Sequence, residues 1–337
     1  MSHIVLGSYN AADQVGIMIL DVATDGSYQV VSTLSGIDSP SFLTQTPTHF
    51  YAVSETASNG GVVAINRTGT TLHHGTRRPS GGGWPCHIRV SGQHVVVSNY
   101  GSGSVALLRR GADGDIRGLN DLAVHHGTGP HKSRQDSPHA HSAINTPDGK
   151  YVIAADLGTD ELVVYTIDGE RDQLVRQHAV NAPAGNGPRH TIFHPNGQIL
   201  YVANELACSV SVFTYNNGQL THIADHSTIT GANHDYTVAD IHISADGQFL
   251  YCTTRTDNTI AAYRIGADGN LHRVGVYPCG GAWPRNFAIA PDGHSILVAC
   301  QHDNHVAVLP RDPVSGAVGA RVATIPFNSV SFVEFLG

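Results

Sequence analysis

His141, Arg189, Glu205 and Arg255 are residue types that can do chemistry together. An imidazole titrates near neutral pH and can carry a proton in either direction. A carboxylate can accept a proton or orient a cation, and a pair of guanidiniums can fork onto a carboxylate, a phosphate or a developing oxyanion. The four share an address in the sequence. Turn-forming pairs stand at Asp148-Gly149, Asn196-Gly197, Asp246-Gly247 and Asp292-Gly293. Seven residues before the first turn residue are His141, Arg189, Ala239 and Arg285; nine after it are Leu157, Glu205, Arg255 and Gln301. With Asp240 beside Ala239, three arginines meet two carboxylates and leave positive charge over, as an anion-binding or catalytic pocket requires. A lone Arg–Glu pair reads as a tie across a hairpin end; the recurrence in successive hairpins argues for more.

The stretch Gly187 to Leu206 shows what must position these groups. It is a hairpin, with Thr191-Ile192-Phe193 before a turn centred on Asn196-Gly197 and Ile199-Leu200-Tyr201-Val202 after it. Simple antiparallel register sets Arg189 opposite Asn204 and beside Glu205. The unit repeats with turn spacings of 48, 50 and 46 residues. Each copy adds a second β-branched or aromatic strand, such as Leu162-Val163-Val164-Tyr165 or Ile260-Ala261-Ala262-Tyr263. Degenerate copies run from Pro40 to Ile65 and from Trp84 to Leu108, the latter with a shortened turn at Ser91-Gly92. Ile4-Val5-Leu6, Ile17-Met18-Ile19-Leu20 and Val330-Ser331-Phe332-Val333 are left for one more unit. Repeats of this length, four strands each, predict an all-β, seven-bladed β-propeller. Its last blade is built from N- and C-terminal strands, which closes the ring within a single domain, 1–337. The longest loop, Gly127 to Pro138, carries Arg134 and leads into His139-Ala140-His141; loops of that length are often functional. No helix of any size is expected.

Composition narrows the partners. The net charge is −8 with no run of like charge, which argues against nucleic acid and membrane surfaces. Lys132 and Lys150 are the only lysines, so 17 of the 19 basic residues are arginines, suited to fixed bidentate contacts with a small anion. Cys86, Cys208, Cys252, Cys279 and Cys300 are odd in number and widely spaced, which fits a reducing, cytoplasmic location rather than a disulfide framework. No leader-like or membrane-spanning apolar run occurs. His139 and His141, at i and i+2, would share a face if a strand starts there, but no third ligand is evident, so no metal and no cofactor are expected. His73, His74, His125 and His126 read as surface residues.

The phrases WPCHIRV, SRQDSPHAHSAINTPDGKY, GPRHTIFHPNGQILYVANEL, ADIHISADGQFLY and WPRNFAIAPDG resemble the seven-bladed propeller lactonases, over essentially the whole chain. That family holds propeller-type 6-phosphogluconolactonases and 3-carboxy-cis,cis-muconate lactonizing enzymes. The resemblance places its active-site histidine on His141, its principal arginines on Arg189 and Arg255, and its glutamate on Glu205. Arg285 and Asp240 also match motif positions. The shortened turns of the early blades, and Cys86 where a small residue is usual, depart from the pattern. The resemblance implies a metal-independent hydrolase of a sugar-acid lactone; Arg285, Asp240, His190, His139 and Arg134 are further substrate-binding candidates. The expected partner is a small anionic lactone, and the protein is expected to be a monomer or weak homo-oligomer. Alternatives are a muconate-type lactonizing cycloisomerase and a non-catalytic propeller that binds an anion or a partner.

Overall fold

The computed structural model describes residues 2–23, 25–231 and 237–336. Among them, 28 strands form seven four-stranded sheets, and the one helical element is a single 3₁₀ turn, Gln301–Asp303. In blade 1 the hydrogen-bonded order is Val330–Phe335, Ser2–Ser8, Ile17–Val22, Tyr28–Leu34. This is the expected blade made from both termini. Blades 2 to 7 begin at Leu43, Pro85, Ala140, Pro188, Val238 and Pro284, and in each the strands pair in sequence order. Blades 2 to 4, with residues 9–17, form one compact unit that ends at Arg189; His190 and blades 5 to 7, with most of blade 1, form another.

Strand burial follows position in the blade. Second strands are covered on both faces, so all six residues of His49–Ser54, Ile199–Asn204 and Phe249–Thr254 are buried and near-continuously apolar. Outermost strands such as Gln219–Ser227 are largely exposed and polar. The core lies between neighbouring blades: Tyr201, Val210 and Val212 of blade 5 pack on Ile241, Leu250 and Ala261 of blade 6. In blades 2, 5 and 6 a tyrosine of the second strand locks the contact to the next blade. Tyr201 donates its hydroxyl to the Gly269 carbonyl of blade 6 at 2.7 Å, and Tyr251 to Gly316 of blade 7 at 2.9 Å. In the other unit Tyr51 of blade 2 does the same to Gly114 of blade 3 at 2.7 Å. A buried phenol needs such an acceptor, which explains a tyrosine rather than phenylalanine there.

Two local features aim the candidate residues. The first is a β-bulge. The hairpin of blade 4 keeps simple register from its turn to Ser142↔Ala155, then shifts so that Ala140 faces Asp156 and His141 is left over. The same shift leaves Cys86 over in blade 3 and Arg285 in blade 7, and sets Ala239 and Asp240 against one residue in blade 6. Constant register therefore fails at the position seven before the turn. Such bulges re-aim a side chain and are common beside active sites. The second feature is a four-residue turn after the second strand of blades 3 to 7. Tyr100, Leu157, Glu205, Arg255 and Gln301 open these turns. Gly103, Asp160, Cys208, Asn258 and Asn304 close them at φ between 52° and 57°, where Gly, Asn and Asp are the favoured residues.

Candidate active site

In the unit holding blades 5 to 7, the first turn residues of blades 5 and 6 meet. Arg255 Nη2 lies 2.7 Å from Glu205 Oε2, and both side chains are more than nine-tenths buried. The same nitrogen donates to the Val238 carbonyl at 3.1 Å, and the guanidinium carbon sits 5.3 Å from the centre of the Trp283 ring. Trp283 is stacked in turn on His302 at 4.5 Å. Its own backbone is at φ 62°, a strained region for a bulky residue, and its N–H is held by Asn258 Oδ1 at 2.8 Å. A buried ion pair of this kind has little slack: removing one partner strands a charge and costs about 3–5 kcal/mol. A guanidinium fixed by a carboxylate, a carbonyl and a ring is preorganised to meet developing negative charge.

Asp240, on the blade 6 bulge, is a hub. His190 Nδ1 lies 2.8 Å from Oδ1; His242 Nε2 at 2.9 Å, Asn286 Nδ2 at 2.6 Å and the Phe287 N–H at 3.2 Å converge on Oδ2. Asn286 Oδ1 then accepts the Val333 N–H of blade 1 at 2.8 Å. Burial alone would raise the Asp240 carboxyl, but the charge of His242 and the contacts with His190 and His242 hold it well below the usual carboxylate range. Four contacts occupy this carboxylate, so its evident work is to fix His190 and the start of blade 7. Arg285 is half-buried there, between Trp283-Pro284 and Asn286. Arg189 is buried on Pro188–Phe193.

In the unit holding blades 2 to 4, His141 is buried and its Nδ1 lies 3.6 Å from Cys86 Sγ, which also donates to the His141 carbonyl at 3.3 Å. The bulge alters the expected histidine pair. His139 precedes the strand, stacks on Tyr100 at 4.4 Å and has Nδ1 2.9 Å from the Tyr100 carbonyl. His141 meets the same tyrosine edge-on at 5.3 Å. The two imidazoles flank Tyr100 instead of sharing a face. Arg134 Nη2 donates to the Tyr100 hydroxyl at 3.3 Å, so the long loop reaches the same aromatic. Gln135, fully buried, pins that loop through the Leu157 carbonyl at 2.8 Å. Behind His139, Asp156 Oδ1 accepts the His139, Gly158 and Thr159 N–H groups at 2.8, 2.9 and 3.2 Å. Asp156 Oδ2 lies 2.6 Å from Nδ1 of His125, whose Nε2 is 2.8 Å from the Tyr165 hydroxyl. His125, expected at the surface, is thus a buried link in a chain that sets the start of blade 4. His73, His74 and His126 are exposed.

Tyr100, Trp283 and Cys86 were not among the residues singled out for the site. Tyr100 had a signal, since it stands nine residues after Ser91 of the shortened turn. Among the described residues no three His, Cys, Asp or Glu side chains are grouped so as to hold a metal ion.

A family model described as "Lactonase, 7-bladed beta-propeller" matches residues 3–335. The chain therefore belongs to the seven-bladed β-propeller lactonases, and its class of chemistry is carboxylic ester hydrolysis. It is 34% identical to a 6-phosphogluconolactonase of Formosa agariphila over 95% of both chains. A 6-phosphogluconolactonase of Bacillus subtilis is 29% identical, with 98% of this chain and 97% of that one covered. Among solved structures, a periplasmic gluconolactonase of Pseudomonas aeruginosa superposes with a TM-score of 0.93 at 29% identity, covering 100% of this chain and 99% of that chain.

Proposed function

We propose that the chain hydrolyses the ring ester of a sugar-acid lactone of the gluconate type, phosphorylated or not, by direct addition of water and without a metal. The observation that carries this reading is the buried Arg255, held at 2.7 Å by Glu205 and backed by Trp283. Arg255 and Arg189 stabilise the oxyanion that forms as water adds to the lactone carbonyl, and hold the anionic groups of substrate and product. A preorganised donor of this kind contributes about 3–4 kcal/mol. His141 takes the proton from the attacking water and delivers it to the ring oxygen as the C–O bond breaks, a role worth about 10²–10⁴ in rate. With Nδ1 facing Cys86, Nε2 is the nitrogen assigned to this transfer. Glu205 orients Arg255, and Asp240 positions His190. The names of the relatives, 6-phosphogluconolactonase and gluconolactonase, support this substrate class.

The test is a pH-stat assay with EDTA present, on 6-phosphoglucono-δ-lactone, glucono-δ-lactone, galactono- and glucaro-lactones, with spontaneous hydrolysis subtracted. Turnover of a gluconate-type lactone that falls in His141→Ala and Glu205→Gln is expected. Unchanged kcat in either variant would remove that residue from the scheme.

A further inference from the structure

An open concavity of 710 Å³ lies on blade 2 and the loop that leads from it to blade 3, walled by segments 57–61, 77–79 and 81–83. None of the residues assigned to lactone hydrolysis lines it, and neither does any Asp or Glu. Two guanidiniums do. Arg77 uses one nitrogen on Ser54 Oγ at 3.1 Å; Arg78 donates to the Arg117 carbonyl at 3.1 Å and to the Arg77 carbonyl at 2.8 Å. Among the described residues neither has a carboxylate within ion-pair distance. The carboxylates of the neighbouring hairpin are already in use, Asp115 on Thr76 and Asp113 on Arg117 at 2.6 Å. In a chain of net charge −8, two adjacent arginines left without an acid in one hollow are notable.

The backbone adds donors. The main-chain N–H groups of 57–60 and 81–83 reach no protein acceptor among the described residues; those of 57–59 and 81 are open to solvent and those of 82 and 83 partly so. Gly60 is buried, where an unmatched N–H is rare. The glycines are needed for these two segments to pack main chain against main chain: a Cβ on Gly60 would meet the Gly82 oxygen at 2.6 Å, and one on Gly83 the Ala57 oxygen at 2.6 Å. A buried, unmatched amide beside two guanidiniums with no facing carboxylate is the donor set that anion sites share. Phosphate matches it best, with three acceptor oxygens and a charge near −2.

We propose that the hollow formed by 57–61, Arg77, Arg78 and 81–83 is a binding site for a small phosphorylated anion, separate from the lactone-hydrolysing residues. The probe is inorganic pyrophosphate, titrated calorimetrically into the full chain at fixed ionic strength, with citrate as the carboxylate control. One saturable pyrophosphate site is expected. It persists in Arg255→Ala and is weakened about tenfold or more in the Arg77→Gln/Arg78→Gln double variant, which keeps its melting temperature and its lactone hydrolysis. In the unaltered protein, pyrophosphate should also shield Arg77 and Arg78 from phenylglyoxal, read by peptide mass spectrometry. No saturable binding, equal binding by the double variant, citrate binding as tightly as pyrophosphate, or no shielding would each overturn the proposal.

Discussion

Arg255→Lys is the most informative single change, because it keeps the charge and removes the shape. In the native chain one guanidinium nitrogen reaches Glu205 at 2.7 Å and the Val238 carbonyl at 3.1 Å, while the plane lies over Trp283. A lysine ammonium is a point charge on a flexible stem and does not reproduce the planar contact with Trp283 or the fixed reach to Glu205 and Val238. It can still neutralise Glu205, so the loss of stability should stay near 1–2 kcal/mol, about one hydrogen bond plus part of a cation–π contact. Arg255→Ala leaves the buried Glu205 alone and should cost about 3–5 kcal/mol. Catalysis responds differently. A misplaced oxyanion donor costs about 10²–10³ in kcat, so Arg255→Lys should lose that much kcat/KM while still folding. The assay is initial-rate pH-stat hydrolysis of the preferred lactone, with thermal melting on the same samples. A folded Arg255→Lys enzyme within threefold of the parent kcat/KM would refute the reasoning.

Other expectations follow from the same geometry. Asp240→Asn should destabilise the chain by about 3–5 kcal/mol by breaking a buried charged network. Because the folded pKa of Asp240 is depressed, its contribution is fully present above the unfolded carboxylate pKa of about 3.9 and is lost as pH falls through the folded value. The difference in denaturant midpoint between parent and variant should therefore shrink below about pH 4; a gap independent of pH would count against this. Tyr100→Phe should keep kcat within about threefold, since the ring that holds His139 and His141 survives, whereas Tyr100→Ala should lower it about tenfold or more, in line with the sensitivity of catalysis to misplaced groups. Equal effects of the two substitutions would contradict the positioning role. Trp283→Gly removes a strained backbone worth about 1–3 kcal/mol along with the ring. It should alter the melting temperature little yet lower kcat/KM; the opposite pattern would make Trp283 a packing residue only.

The blades were legible because their signals are local. An Asp-Gly or Asn-Gly pair fixes a turn whatever surrounds it, and strands buried on both faces announce themselves as apolar runs. Glu205 and Arg255 emerged from offset counting because both open the same kind of four-residue turn, in successive blades. What escaped depends on partners distant in sequence. The bulge at His141 and Arg285 lies at the open end of its hairpin, seven residues from the turn that the sequence marks, and it spoiled the idea that His139 and His141 share a face. His125 looked like a surface residue because nothing beside it in sequence shows Asp156 or Tyr165. Asp240 looked like a rim acid, since His190 and Asn286 lie 50 and 46 residues away. Tyr100 lay within reach of the same counting but belonged to a blade with an irregular turn.

The central claim is that buried arginines of this chain stabilise the charge formed in opening a sugar-acid lactone. It is tested most directly by hydrolysis of 6-phosphoglucono-δ-lactone and glucono-δ-lactone, in EDTA, by the parent chain and by Arg189→Ala with a verified fold. Turnover well above the spontaneous rate by the parent, reduced about 10²-fold or more in the variant, is the predicted result. Rates equal in both, or no turnover of either lactone by the parent, would contradict it.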